Sequence, residues 1–144
     1  MSSSSSSSSA TTYSSVALTI CEEIAGYLRE QGEASAIAVP FVEIDLSKVR
    51  SRQIYVQPGP VTVTPITRGD DEHRLDICIA IADRSEDGSM DEQLDCLKNI
   101  TDAVSRLETE HGVVVAVKPE YDLDNFRRER IFTGAVNVSV WVEP

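Results

Sequence analysis

The chain lacks most of the signals by which a sequence announces its chemistry. It has 144 residues, and apolar runs such as Val113 to Val117 are far too short to cross a bilayer, so no membrane partner is expected. The N-terminus has no basic region followed by an apolar stretch, which argues against a secretory signal. Only 3 cysteines occur, Cys21, Cys78 and Cys96, widely spaced and without a CxxC pair. That excludes a disulfide scaffold or a thiolate zinc site and points to a reducing compartment, with the thiols acting as small buried hydrophobes. No GxSxG, HExxH, Walker or GxGxxG pattern is present, so nothing marks a nucleophile, a phosphate cradle or a cofactor. Basic residues are scarce: 13 Lys and Arg stand against 24 Asp and Glu, a formal net charge of −11. Tight sequence-independent grip on DNA or RNA needs a basic footprint, and this chain repels phosphate over most of its surface.

What remains is the composition of an ordinary folded domain, 41% hydrophobic and 26% charged. A chain of this length buries roughly 70% of its unfolded surface, enough for one core. Residues 1–14 read as a disordered serine-rich arm: eight consecutive serines bury almost nothing and cannot offset their ordering entropy. Residues 15–144 read as a single domain.

The periodicities predict its elements. Val16, Ile20, Ile24, Tyr27 and Leu28 recur at helical spacing up to a stop at Gly32. Ile37 to Leu46 predicts a strand bent at Pro40, and Ile54 to Val56 a second strand ended by a turn at "QPGP". Val61 to Ile66 predicts a further strand, closed by a turn at "TRGDDEHR". Leu75, Ile77, Ile79 and Ile81 alternate with small or polar neighbours as a half-buried strand does. A second helix starts at a capping box of Ser89 and Glu92, buries Leu94, Leu97, Ile100, Val104 and Leu107, and closes at Gly112 with His111 in its last turn. Val113 to Val117 is a short strand and "KPEYDLDNF" a loop. In the final strand Phe132, Val136, Val138, Val140 and Val142 share one face, against Thr133, Ala135, Asn137, Ser139 and Trp141 on the other. The order of elements predicts an α+β domain, a mainly antiparallel sheet with two helices packed on one face.

Candidate sites are few. The acidic turn Asp70 to His73 is a poor metal site, because consecutive turn residues rarely aim at one point. Asp83, Glu86, Asp87, Asp91, Glu92 and Asp95 give a local balance of −5 with Arg84. They form either a solvated loop and helix start or a surface that repels polyanion or meets a basic partner. Arg127, Arg128 and Arg130 surround Glu129 ahead of the last strand. On an extended segment they cannot all face one way. An arginine cluster in so acidic a chain suits contact with an acidic patch on another copy. Trp141 is either an anchor there or a capping core residue.

Together, "VALTICEEIAGYL", "FVEIDLSKVRSRQIYVQP", "ITRGDDEHRLDICIAI", "DEQLDCLKNITDAVSRLE" and "YDLDNFRRERIFTGAVNVSVWV" resemble the tail terminator (tail completion) proteins of long-tailed bacteriophages. The resemblance runs from Val16 to Val142 and leaves out the serine-rich arm. It implies a structural virion protein rather than an enzyme, assembled in the host cytoplasm. Such proteins form a homo-oligomeric ring, typically a hexamer, at the head-proximal end of the tail tube. They end polymerisation of the tube protein and offer a joining surface to the head–tail connector or neck protein. DNA passes through the lumen without specific binding, and six copies at −11 each carry −66, which suits sliding rather than adhesion. The resemblance assigns Phe126, Arg127, Arg128, Glu129, Arg130 and Phe132 to interface or fold, with Ile44, Asp45, Leu46 and Arg68 as secondary positions. A head-completion or neck protein, a monomeric acidic adaptor and a small enzyme of unrecognised chemistry are the competing readings.

Overall fold

A computed structural model of the chain describes residues 13–41, 44–67, 70–105, 107–110 and 112–142. Of the serine-rich arm, residues 1–12 lie outside these, and Tyr13 already belongs to the first helix. Arg68 and His111 also lie outside the described residues.

Helix α1 spans Tyr13–Glu30, and its stripe of Val16, Ile20, Ile24 and Leu28 is buried as the spacing predicts. Gly32 ends it at φ 105°, a left-handed conformation that glycine adopts without the Cβ penalty. Strand β1 is only Ala36–Ala38, because Pro40 removes a donor and halts pairing. The remaining strands are β2 (Gln53–Thr67), β3 (Asp70–Arg84), β4 (Gly112–Asp122) and β5 (Ile131–Val142), with α2 at Asp91–Val104 and α3 at Leu123–Glu129. They form one five-stranded sheet of order β1-β2-β3-β5-β4, in which β1 is parallel to β2 and every other pair is antiparallel.

Two predicted turns are strand. "QPGP" is a bulge within β2, where the register slips between Pro58 and Val61. Beyond Val56 no described strand pairs with the outer edge of β2, so a proline there forfeits no ladder bond. Asp70 to His73, read as a turn, is the start of β3, paired with Thr67 to Val63 across the hairpin. The second helix is shorter than its periodicity. It ends at Val104, capped by Ser105, and a tight connection returns through the Glu108–Val113 bridge, so Leu107 packs on the core from outside the helix. The predicted capping box is not formed: the N-cap is Met90, which makes no side-chain cap, and Ser89 Oγ, one residue earlier, accepts from Asp91 N (3.1 Å).

The sheet is covered on one side. Side chains from α1, α2 and α3 enter a single core with Ile54, Val56, Leu75, Ile77, Ile79, Ile81, Phe132, Val136, Val138 and Val140. The other face carries half-buried Tyr55, Gln57, Asp76, Cys78, Asn137, Ser139 and Trp141. One end of that face is closed by a second small cluster: Ile44, Leu46 and Val49 pack on Ala82 and Ile131.

Candidate assembly surfaces

The segment around the arginines is helical, which corrects the extended reading. Asp124 lies in the first turn of α3 and Arg127 and Arg128 in its last, the distribution that the helix dipole favours. Helical geometry separates the roles of neighbours in a way that strand alternation would not. Phe126 turns into the core at 8% exposure, while Arg127, Arg128 and Glu129 are exposed. Phe132 is fully buried beneath Tyr121, with ring centroids 5.7 Å apart. Phe126 and Phe132 therefore serve the core of the chain, where their packing anchors α3.

Arg130 departs from both neighbours. It holds φ 58°, unusual for a residue with a side chain, with its N–H donating to Phe126 O (2.9 Å) and its carbonyl accepting from Ser85 N (2.9 Å). It closes α3 and stitches it to the loop after β3. Its guanidinium lies against Gly88, which at φ +80° has no side chain to obstruct it.

The acidic segment is likewise divided. Asp83 is buried: it accepts from Arg52 Nε (3.3 Å) and from Gln93 Nε2 (3.2 Å), and Arg52 Nη1 reaches Glu33 (3.2 Å). This chain of partners ties the end of α1 to β2, β3 and α2, and leaves Asp83 buried in the lining of a cleft. Asp87 accepts from Ser89 N (2.9 Å) and Ser85 Oγ (3.2 Å), and Ser85 Oγ also lies 2.6 Å from Ser89 O. Those bonds, the one from Ser89 N foremost, hold the Asp87 carboxyl below the usual carboxylate range. Glu86, Asp91, Glu92 and Asp95 are exposed.

Of the secondary positions, Ile44 and Leu46 pack inside the chain. Asp45 accepts from Ser47 N (3.1 Å) and Ser47 Oγ (2.7 Å) and so caps the short 3₁₀ turn Leu46–Lys48, which lowers its pKa. Trp141 sits on the side of β5 away from the helices, half-buried, in register between Arg74 and Val113.

The structure adds residues the sequence reading passed over. A cleft of about 420 Å³ is bounded by Arg50 and Arg52, the loop after β3 and the first turn of α2, with Gln93 in its lining. Gln93 is 4% exposed and its buried Oε1 has no hydrogen-bond partner among the described residues, a state that costs about 1–3 kcal/mol for a buried acceptor. The signal was available: Gln93 is a polar side chain on the buried stripe with Cys96, Leu97, Ile100 and Val104. Strand β4 contains the predicted Val113–Val117 strand and is longer than predicted. It runs on through Lys118 to Asp122, a stretch predicted as loop, as the sheet's last strand; its outer edge is bridged by Glu108 at Val113 and has no partner strand past Val114 among the described residues, and Val113 (41%) and Val115 (48%) are exposed.

Among the described residues no group of His, Cys, Asp and Glu side chains is arranged to hold a metal ion, and no described helix is long and apolar enough to cross a membrane. No family model matches the chain, and no curated protein matches it in sequence. Among solved structures, a chain from the virion of a native gene transfer agent particle aligns at a TM-score of 0.49 and 13% identity, over 92% of this chain and 100% of that chain.

Proposed function

We propose that this protein is a non-enzymatic virion component that forms a ring at the head-proximal end of a phage tail tube. There it stops tube growth and presents the surface on which the head joins. The observation that carries this reading is the unfinished outer surface of the sheet. All three helices serve one face, and the sheet ends at β4, 11 residues long, whose outer edge past Val114 has no partner strand among the described residues and which leaves Val113 and Val115 exposed. Monomeric proteins blunt or cover such edges, because an open row of backbone donors and acceptors recruits another chain. Lys118 and Pro119 and the register shift after Val114 give β4 partial protection, which suits controlled rather than indiscriminate pairing. The acidic balance of the chain supports a lumen through which DNA moves without adhering.

The reading is tested by adding purified protein to its cognate tube protein during polymerisation. Capped tubes of limited length, with a ring of this protein at one end in negative-stain images, are expected. Unlimited tube growth in the presence of excess folded protein contradicts the proposal.

A further inference from the structure

Strand β4 has a pattern that is complementary to itself about one residue. Counted outward from Pro119, Lys118 answers Glu120 and Val117 answers Tyr121. The two sets lie on different sides of the sheet. Lys118 and Glu120 stand opposite Asn137 and Ala135, on the side away from the helices, and both are exposed. Val117 packs on the core and Tyr121 stacks on Phe132, on the helix side. Let two copies of β4 lie antiparallel along their open edges, with Pro119 on the twofold axis. Each Lys118 then faces a Glu120, and each Val117 a Tyr121. Opposite charges and aromatic–β-branched pairs directly across from one another are the pairs that stabilise an antiparallel ladder.

The backbone on that axis opposes the pairing. A Cβ on Gly134 would stand 3.2 Å from Glu120 O, so this carbonyl faces β5. Backbone groups alternate along a strand, hence those of Val117, Pro119 and Tyr121 face the open edge. The residue on the axis therefore belongs to a hydrogen-bonded pair, in which the two members exchange both N–H···O bonds. Proline has no N–H to give. Both central bonds are lost, and two rings meet where the strands should close. Within the subunit the proline costs nothing, because its nitrogen is turned away from β5.

We propose that Pro119 is a block against self-pairing: the edge of β4 matches the edge of a second copy, and this one residue keeps the two apart. The edge stays open to a strand of a different register, one that needs no donor at position 119. This inference is independent of the ring reading, since a twofold pair of β4 strands would divert subunits from any other assembly.

Pro119→Val restores the donor, removes the ring and leaves the flanking pairs in place. Sedimentation velocity of this variant is expected to show a dimer at a concentration where wild-type protein shows none, with self-association at least tenfold tighter. Charge checks the register. Adding Glu120→Lys sets Lys118 against a lysine and is expected to abolish the dimer, and adding Lys118→Glu as well is expected to restore it. Pro119→Val that keeps its circular dichroism and associates no more than wild type overturns the proposal. So does a dimer indifferent to both charge changes, because its register is then a different one. Pro119→Thr is measured in parallel, and loss of the folded spectrum in both variants would make Pro119 a residue of the fold and overturn the block.

Discussion

Phe132 is the largest fully buried side chain, and the close approach around it is built into the sequence. A Cβ on Gly134 would stand 2.9 Å from the Phe132 ring and 3.2 Å from Glu120 O, so this glycine leaves room for the ring on its own strand. Phe132→Ala is expected to cost about 3–5 kcal/mol in urea unfolding, through lost burial and the cavity left behind. Gly134→Ala is expected to cost about 1–3 kcal/mol, because the ring and a backbone carbonyl must both give way. The cysteines offer a separate check. Burial pushes the Cys21 and Cys96 thiols up to about 12, and burial followed by the nearby Glu120 charge raises Cys78. All three remain protonated at neutral pH and react slowly. Cys78, half-buried on the sheet face away from the helices, is expected to be modified first by a disulfide reagent at pH 8. Simultaneous labelling of all three in folded protein would contradict that order. Their burial was legible because Cys21 and Cys96 fall beside the apolar stripes of their helices. Gln93 was legible as a polar side chain on a buried stripe, but its missing hydrogen bond among the described residues was not, since hydrogen-bond satisfaction depends on contacts between distant segments.

Among the elements, periodicity identified α1, α2, β3 and the inner face of β5, where one side of a long element is uniformly apolar. It failed where elements are short or exposed. Helix α3 has seven residues, too few to display a period, and its acidic start looks like loop. The outer half of β4 is exposed on both sides, so Lys118 to Asp122 carries no alternation. In β2, Pro58 and Gly59 have the composition of a turn. Only the arrangement of neighbouring strands reveals that a bulge is tolerated there. The loop from Ser85 to Ser89 makes a pH prediction. Asp87 has a folded pKa below its unfolded value of about 3.9, so its contribution to stability is present above that value and is lost as pH falls through the folded pKa. Protection of the Ser89 and Asp91 amides, taken as exchange relative to the intrinsic rate at each pH, is therefore expected to hold from pH 7 to about 4 and to be lost only below it. In Asp87→Asn that acid step should vanish, and a transition near pH 6 would contradict the assignment.

In the whole molecule, two charged segments that lie far apart in the sequence each divide between structural and exposed residues. The arginines and the acidic segment were both visible as charge runs. The fold shows that each is part structural: Arg130 and Asp83 hold the chain together, whereas Arg127 and Glu92 face outward. Contacts between exposed opposite charges are screened by salt, with a Debye length of about 10 Å at 0.1 M and about 3 Å at 1 M. Assembled rings are accordingly expected to loosen between 0.1 and 1 M NaCl, read by mass photometry, if contact of the exposed arginines with an acidic patch dominates. Rings held mainly through β4 would be insensitive to salt, because backbone pairing and valine burial are not screened in that way.

A chain that ends a tail tube leaves a distinct defect when it is missing, so particles from a strain lacking its gene should be imaged. Overlong or unjoined tails beside filled heads are the predicted result. Virions with tails of normal length, joined to their heads, would contradict it.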